Sequence, residues 1–326
     1  MRLAVFSYRE DEAVFFKEFC EKYQVEPVYI TEAPGVHNAE LAKGCDCASV
    51  ITTKIDKEVI DALSRQGVTF ISTRTIGYDH IDIQHAKSIH MGVGNVTYSP
   101  YSVSEYAVML ILMANRKIKT IMNRAAGQDY TLKNVRGLEL RKQTVGVIGT
   151  GKIGEHVIRT LSGFGCKILA YDIHQKESIK EYAEYAALDT IYEQCDVITL
   201  HAPSTQDNYH MLDSSAFHKM KDGVIIVNTA RGTLIDTDAL IDAVESGKVG
   251  AAALDVVENE TAIYYSDYKN IPINHRQMAI LNSFPNVIML PHTAFYTNMA
   301  VSDMVENSIL SCLYHFQGKE NPWQIV

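Results

Sequence analysis

The chain has 326 residues, 47% of them hydrophobic and 21% charged, and carries a formal net charge of −9 at pH 7. This composition is typical of a globular protein with room for two domains, and the negative charge argues against nucleic acid or an anionic membrane as the main partner. No apolar run reaches the roughly 18 residues that cross a bilayer. The six cysteines are scattered, and the close pair Cys45 and Cys47 lacks the second pair that a zinc site needs. We therefore expect reduced thiols, no bound metal and a cytoplasmic location.

Residues 1–98 contain short apolar segments that are candidate strands. Between them lie stretches that are long enough for helices. This alternation predicts a smaller α/β domain of the flavodoxin type. The candidate strands are LAVFSY (3–8), ASVIT (48–52), VTFIST (68–73) and MGVGNV (91–96).

A domain boundary is predicted near residue 100. Pro100 disfavours helix at the residue before it, and Ser102 followed by Glu105 is a capping-box pattern that predicts a helix start. The helix is apolar nearly all round over residues 106–114, which is typical of a helix buried on more than one side. Either a dimer interface or an intramolecular core would bury it, and the sequence leaves both alternatives open.

A regular alternation of apolar and amphipathic segments begins near residue 144. Near-continuous apolar strands that alternate with helical segments are typical of a parallel sheet covered on both faces. Six such strands predict a doubly wound domain of the Rossmann type. The predicted strands are TVGVIG (144–149), CKILAYD (166–172), DVITLHAP (196–203), GVIIVNTAR (223–231), GAAALDVVE (250–258) and NVIMLP (286–291).

The sequence GTGKIG (149–154) follows the first of these strands and opens a helix. Gly149 allows the tight turn, Gly151 lets the backbone approach a pyrophosphate, and Gly154 permits close helix–strand packing. Free N–H groups at the helix N-terminus would bind the phosphates. Asp172, at the end of the second strand, can accept hydrogen bonds from a ribose diol but would repel a 2′-phosphate. The motif therefore predicts NAD rather than NADP as the cofactor.

Together these patterns predict an α/β protein with two doubly wound domains. A Rossmann NAD-binding domain, residues 100–296, would be inserted into a flavodoxin-like domain. Residues 1–99 plus 297–326 would form that second, substrate-binding (catalytic) domain, because a last helical pattern near the C-terminus can return to it.

Three polar residues follow the fourth, fifth and sixth strands, namely Arg231, Glu260 and His292. In parallel α/β sheets ligands bind outside the carboxyl ends of strands, so all three could face one site. A guanidinium binds a carboxylate bidentately, a carboxylate beside an imidazole favours its protonated form, and a histidine can exchange a proton with a carbonyl oxygen. Jointly they predict a hydride-transfer site. His201 also ends a strand and is the alternative acid–base residue, although we favour a place in the cofactor wall for it.

With these residues in view, the chain resembles the D-specific 2-hydroxyacid dehydrogenases over nearly its whole length. Within that family it is most similar to the D-lactate dehydrogenases, including those of the vancomycin-resistance type. The segments YYSDYKNIPI and HTAFYT suggest that subgroup. The matching pieces are STRTIGYDHID (72–82), NVTYSP (95–100), TVGVIGTGKIG (144–154), VNTARGTLIDTDAL (227–240), AALDVVENE (252–260) and PNVIMLPHTAFYT (285–297).

The resemblance implies a role for each residue of the predicted site. His292 would donate the proton to the keto oxygen, Glu260 would be its partner, and Arg231 would bind the substrate carboxylate and carbonyl. Backbone amides of Ile76 and Gly77 would complete the carboxylate site.

Further positions match the substrate pocket and the cofactor site of the family. Tyr98 and Phe295 correspond to residues that line the pocket. Where D-lactate dehydrogenases often carry an aromatic residue in an early turn, this chain has Ile55. Lys152 lies at a variable place in the glycine motif, so its role would come from its backbone. The positions that match NAD contacts are Lys152, Ile153, Asp172, Ala202, Pro203, Asn208, Thr229, Ala230 and Asp255.

The sequence thus predicts an NAD-dependent D-2-hydroxyacid dehydrogenase that reduces pyruvate to D-lactate. A larger 2-oxoacid, such as phenylpyruvate, 2-oxoisocaproate or 2-oxoglutarate, is the alternative substrate. An alternative of another class is an NAD(H)-sensing protein like the C-terminal binding protein corepressors, which keep the same Arg, Glu and His set. We expect a homodimer formed through the NAD domain, a small-molecule substrate, and neither a nucleic-acid nor a membrane partner.

Overall fold

The computed structural model describes residues 1–260 and 263–326. The chain divides into two compact units: unit 1 comprises Met1–Ser99 and Tyr296–Val326, and unit 2 comprises Pro100–Phe295. Residue 296 therefore lies in unit 1, whereas the sequence placed it at the end of the NAD-binding domain. No helix within the described ranges is long and apolar enough to cross a membrane.

Strands and helices alternate through most of the described residues. The strands are β1 (Arg2–Val5), β2 (Glu26–Tyr29), β3 (Cys47–Val50), β4 (Phe70–Thr73), β5 (Gly92–Gly94), β6 (Thr144–Ile148), β7 (Lys167–Tyr171), β8 (Glu184–Tyr185), β9 (Val197–Leu200), β10 (Val224–Asn228), β11 (Val249–Leu254) and β12 (Val287–Met289). The α-helices are α1 (Ala13–Tyr23), α2 (Lys57–Arg65), α3 (Ile83–Ser88), α4 (Tyr101–Asn115), α5 (Ile118–Ala126), α6 (Lys152–Ser162), α7 (Leu188–Gln194), α8 (Ser214–Lys219), α9 (Thr237–Glu245), α10 (Arg276–Ser283) and α11 (Asn298–Phe316).

Unit 1 is built on a parallel sheet with the strand order β2-β1-β3-β4-β5. This is the order of flavodoxin-like folds, as predicted. All four strands that the sequence predicted in this region are present. The edge strand β2 was missed because its sequence, EPVY, contains a proline and is only partly buried, and both features weaken the strand pattern.

A buried ion pair anchors the end of β4. Arg74 follows this strand with no exposed surface, and its guanidinium donates to the Glu12 carboxylate and to Ser49 Oγ, each at 3.0 Å. It also donates to the carbonyl of Phe6 at 3.1 Å. Removing one partner of such a pair leaves an uncompensated buried charge. The pair therefore fixes the backbone from which the turn after β4 projects.

Unit 2 contains a parallel sheet with the order β12-β11-β10-β9-β6-β7-β8. All six predicted strands are present. The additional edge strand β8 has two residues and is too short to produce a periodic signal. Because β6 lies between β7 and β9, the strand order reverses at β6, which is the place where doubly wound sheets bind ligands. The predicted fold class is confirmed.

Helix α4 begins two residues earlier than the capping-box pattern at Ser102 predicted. Pro100 is its N-cap, and the predicted capping box is wrong because Ser102 lies buried inside the first turn. Proline at this place is favourable, since the first turn needs no N–H donor from it. The apolar residues of α4 pack into the core of unit 2 with α6, β10 and β11. An intramolecular core therefore accounts for most of this helix, and Met109 remains 40% exposed.

Candidate active site

The polar residues singled out in the sequence gather at the carboxyl ends of the unit 2 strands. Asp172 directly follows β7, and His201 directly follows β9. Arg231, Glu260 and His292 lie in the loops after β10, β11 and β12. Because all these strands are parallel, their loops emerge at one edge of the sheet.

The turn between β6 and α6 has the geometry that a pyrophosphate needs. Gly149 has a φ of +96°, which favours glycine, and its N–H donates to the carbonyl of Tyr171 at 2.8 Å. A Cβ at Gly154 would collide with the carbonyl oxygen of Gly149. Gly151 is the N-cap of α6 without a side-chain capping bond, and a Cβ there would meet nothing within 4 Å. The helix N-terminus is thus open to an anionic group, which fits the diphosphate of NAD.

Asp172 is held at the edge of this turn by hydrogen bonds from two sides. Its Oδ2 accepts from the N–H of Thr150 at 2.6 Å and from Thr150 Oγ1 at 3.0 Å. Its Oδ1 accepts from the N–H of His174 at 2.8 Å. Burial raises the pKa of Asp172, but these hydrogen bonds outweigh burial and hold the pKa below its usual value. An ionised, fixed carboxylate at this place fits a ribose diol and disfavours a 2′-phosphate.

Two further predicted cofactor positions, Thr229 and Asn208, differ in the hydrogen bonds of their side chains. The hydroxyl of Thr229, directly after β10, is buried and has no hydrogen-bond partner in the described part of the chain, as expected of a group that contacts a bound molecule. The side chain of Asn208 instead bonds within its own loop, to the N–H of Thr205 and the carbonyl of Pro203, each at 2.7 Å. The other matching positions, Ile153, Ala202, Ala230 and Asp255, lie at the same sheet edge as Lys152, which is exposed.

His201 lies against the glycine turn rather than with a carboxylate. A Cβ at Gly154 would contact the His201 side chain, and the Nε2 atom of His201 lies 2.9 Å from Thr199 Oγ1. Although part of the residue is exposed, its Nδ1 atom is inaccessible to solvent and has no partner in the described residues. Burial lowers the pKa of His201 to about 3. This histidine is therefore neutral near pH 7 and is a poor proton donor there.

His292 and Glu260 form a direct hydrogen-bonded pair. His292 Nδ1 lies 2.5 Å from Glu260 Oε1, and the side chains are 24% and 17% exposed. Glu260 Oε2 accepts from the N–H of Val257 at 2.6 Å, so both carboxylate oxygens are engaged. An ionised carboxylate only accepts, and the ring therefore carries its proton on Nδ1. The other ring nitrogen, Nε2, is left to exchange a proton with a bound molecule.

The backbone of His292 is held in an unusual conformation. Its φ is +53°, in the left-handed region that non-glycine residues seldom adopt. The N–H of His292 donates to the carbonyl of Asp255 at 2.8 Å, and Tyr265 Oη donates to the carbonyl of His292 at 2.8 Å. The Asp255 carboxylate accepts from the N–H groups of Thr293 and Ala294, each at 2.9 Å. These bonds fix the His292 ring beside Glu260.

Arg231 lies in a loop whose backbone is held by contacts of Asn228 and Gly232. Its guanidinium donates to the carbonyl of Ala230 at 2.8 Å, and Asn228 Nδ2 donates to the carbonyl of Arg231 at 2.8 Å. Gly232 packs so closely on the backbone of Val257 that a Cβ would collide with it. Sequence reasoning missed Asn228 and Gly232, although the string NTARG that contains both was part of the matching motif.

The predicted substrate positions Ile76, Gly77 and Tyr98 lie in unit 1. In unit 1, the carbonyl of Ile76 accepts from Asn95 Nδ2 at 2.8 Å and that of Gly77 accepts from Thr75 Oγ1 at 2.6 Å. The N–H groups of Ile76 and Gly77 make no hydrogen bond within the described residues, and such groups can bind an anion. Tyr98 follows β5 in unit 1.

Phe295 belongs to unit 2 and lies beside the histidine. Its ring meets the His292 ring edge to face, with the centroids 6.4 Å apart. An aromatic ring at this distance places apolar surface next to the imidazole.

Comparisons with known proteins agree with this architecture. A family model described as the NAD-binding domain of D-isomer specific 2-hydroxyacid dehydrogenases matches residues 108–294. An aromatic 2-oxoacid reductase of Clostridium sporogenes is 44% identical over 314 residues, with 95% of each chain covered. A D-lactate dehydrogenase of Lactiplantibacillus plantarum is 41% identical over 315 residues, again with 95% of each covered. The structure of a D-lactate dehydrogenase with NAD+ from Lactobacillus jensenii is 32% identical, covers 100% of both chains and has a TM-score of 0.87. The predicted cofactor, NAD, is confirmed.

The low pKa of His201 predicts a pH-dependent contribution to stability. Below its ordinary pKa of 6.5 the unfolded chain binds a proton that the folded protein does not bind until about pH 3. This contribution is therefore complete above pH 6.5 and is lost as the pH falls, by up to about 1.4 kcal/mol per pH unit. Replacing His201→Gln removes it. Between pH 7 and pH 5, we expect the free energy of unfolding of the original protein to fall by about 2 kcal/mol relative to that of the variant.

Urea unfolding at the two pH values, followed by circular dichroism, measures this difference. His37→Gln is the control, because the side chain of His37 is 74% exposed. Parallel pH profiles for the original protein and His201→Gln would contradict a neutral, buried ring.

Proposed function

The chain belongs to the D-isomer specific 2-hydroxyacid dehydrogenase family, and we propose that its reaction is the NADH-dependent reduction of pyruvate to D-lactate. It is an NAD-dependent oxidoreductase of a small 2-oxoacid or 2-hydroxyacid. The observation that carries the assignment of the chemistry is the hydrogen bond between His292 Nδ1 and Glu260 Oε1. It orients an imidazole at the sheet edge where the cofactor motif also lies.

Reduction of a keto group needs a hydride at carbon and a proton at oxygen. Bound NADH supplies the hydride. His292 Nε2 donates the proton to the carbonyl oxygen, and in the reverse reaction takes it back from the hydroxyl. Glu260 accepts the Nδ1 hydrogen throughout, so it compensates the charge of the protonated ring and keeps the neutral ring in one tautomer. The pair therefore gives and receives one proton per turnover without rearrangement.

Groups with N–H donors would bind the substrate carboxylate. Arg231 provides a planar guanidinium, which matches a carboxylate bidentately. We propose that the N–H groups of Ile76 and Gly77 also bind the substrate carboxylate, because neither N–H makes a hydrogen bond within the described residues. Tyr98 and Phe295 would line the side-chain pocket.

An aromatic 2-oxoacid is the second candidate substrate. It is favoured by the relative named aromatic 2-oxoacid reductase, which is 44% identical over 95% of this chain. The early-turn position holds Ile55 and not an aromatic residue. Ile55 is fully buried in the core of unit 1, and its N–H donates to the carbonyl of His80 at 2.8 Å.

Rates of NADH oxidation across a panel of 2-oxoacids test the substrate. We expect pyruvate to give a kcat/KM at least about tenfold above that of phenylpyruvate, a difference that a pocket closed by aromatic side chains can produce. Chiral analysis should find D-lactate as the product. The reverse preference would support the second candidate, an L-product would contradict the family chemistry, and no turnover on any 2-oxoacid would favour an NAD(H) sensor.

For the assembly we propose a homodimer formed through unit 2. Large apolar side chains in and after α5 lie close together in sequence and are exposed. Exposed apolar clusters often mark interfaces. These side chains include Met122 (62% exposed), Tyr130 (78%), Leu132 (87%) and Leu138 (59%). Light scattering should give twice the 36.4 kDa of one chain, and a monomer would contradict the proposal.

We also propose a cytoplasmic location. All six cysteines are free, and five of them are buried. Reduced thiols of this kind persist in a reducing compartment, where NADH is also produced and consumed. Fractionation of cells that express the protein would test this location, and recovery of the protein outside the cytoplasm would contradict it.

A further inference from the structure

We propose that Glu258 and His210 are positioning residues that hold the loop carrying Glu260 in place for the reaction. This inference rests on the proposed function, because it assumes that Glu260 and His292 act in proton transfer. It concerns a second histidine–carboxylate pair in unit 2, which takes no direct part in the proposed hydride and proton transfer.

Glu258 gathers donors from three separate segments. Its Oε1 atom lies 2.8 Å from His210 Nε2, and its Oε2 accepts from Thr237 Oγ1 at 3.0 Å. Its carbonyl oxygen lies 2.7 Å from His275 Nε2. The side chain of Glu258 is only 15% exposed. A charged group so enclosed and so fully bonded fixes the backbone that carries it.

The fixed backbone leads directly to the catalytic carboxylate. Asn259, between Glu258 and Glu260, has a φ of +58°, so the chain turns sharply there and the two carboxylates leave the turn separately. On the far side of the turn, Glu260 accepts from the N–H of Val257 and bonds the His292 ring. Any shift of the turn would move Glu260 relative to His292.

The same pair connects the neighbouring loops. The N–H of His210 donates to the carbonyl of Thr233 at 2.9 Å, in the loop that carries Arg231. Ser204 and Thr233 share a hydroxyl–hydroxyl bond of 2.7 Å, which ties in the loop after β9. Gly232 packs on the backbone of the 257–258 segment. The loops after β9, β10 and β11 are thereby joined around His210 and Glu258.

The surroundings of His210 favour a fixed ring. Tyr209 stacks on it with ring centroids 3.9 Å apart, and Asp236 Oδ2 lies 3.8 Å from His210 Nδ1. The ring is thus placed between two carboxylates, Glu258 and Asp236, and is covered on one face. It therefore donates to Glu258 in a defined direction, and glutamine is the substitution that best preserves that donor.

Steady-state kinetics of Glu258→Ala, His210→Ala and His210→Gln test the proposal, with NADH affinity measured by fluorescence and with thermal unfolding. We expect both alanine variants to lower kcat by about 10- to 100-fold, since a small misplacement of a reacting group has effects of that size. The KM for the 2-oxoacid should change less than about threefold, because the bond from Asn228 to the Arg231 carbonyl still holds the Arg231 loop in these variants. His210→Gln should recover kcat to within about threefold of the original, because it keeps a donor.

A matched control exists in unit 1. His85 Nε2 lies 2.7 Å from Asp61 Oδ1, and these side chains are 15% and 33% exposed, so the pair resembles His210 and Glu258 in chemistry. His85→Ala should leave kcat unchanged. The kcat of the double variant Glu258→Ala/His210→Ala should lie within about twofold of that of the slower single variant. Either single substitution already removes the hydrogen bond between the two residues.

Two outcomes separate this inference from the proposed function. If Glu260→Gln keeps normal turnover, the proposed function is wrong and this inference falls with it. If Glu260→Gln is slow while Glu258→Ala turns over normally, or loses kcat only in proportion to a loss of folded protein, this inference alone is wrong. Should Glu258→Ala fail to fold, the comparison of His210→Ala with His210→Gln decides in the same way.

Discussion

The hydrogen bond between the His292 ring and the Glu260 carboxylate is the interaction on which the proposed chemistry depends. It joins loops that follow two neighbouring strands, β11 and β12. His292 reaches it only with a left-handed φ of +53°, a conformation that costs a non-glycine residue of the order of 1–3 kcal/mol. Two backbone hydrogen bonds of His292 offset that cost: its N–H donates to the carbonyl of Asp255, and its carbonyl accepts from Tyr265 Oη. Strain that the surroundings maintain in this way is characteristic of functional sites.

Carboxylates at the edge of the unit 2 sheet do different work because their partners differ. Asp172 is bonded by N–H groups at the cofactor turn and stays ionised. Asp255 is buried, which raises its pKa, and it holds the backbone after His292. Glu260 faces the His292 ring, whereas Glu258 faces His210. In the proposed reaction, identical functional groups thus serve cofactor recognition, backbone placement and proton transfer.

Much of the fold could be predicted from sequence, because local residue patterns indicate where strands and turns form. The apolar runs predicted ten strands, and the glycine turn after β6 could be located because a close backbone approach allows no side chain at Gly154. The two edge strands β2 and β8 were missed because one contains a proline and the other has two residues. The capping box at Ser102 was wrong because Pro100, two residues earlier, is the N-cap.

The site was predictable to a smaller extent, since its chemistry depends on contacts between distant residues. Motif spacing pointed to Glu260 and His292, which the structure brings together, and it favoured His292 over His201 as the acid–base residue. The structure adds a second reason, the burial of the His201 ring, which only the folded chain defines. The pairing of His210 with Glu258 spans 48 residues and leaves no local signal. The environment of Ile55 has no local signal either, because its burial depends on the whole core of unit 1.

The most direct test of the account is the single-turnover rate of pyruvate reduction by the NADH-loaded His292→Gln variant. If His292 is the proton donor, the rate should fall by about 10²- to 10⁴-fold, while the NADH dissociation constant stays within about twofold of the original. His37→Gln, at a side chain 74% exposed, should change neither quantity. A His292→Gln variant that reduces pyruvate at a near-normal rate would contradict the central claim.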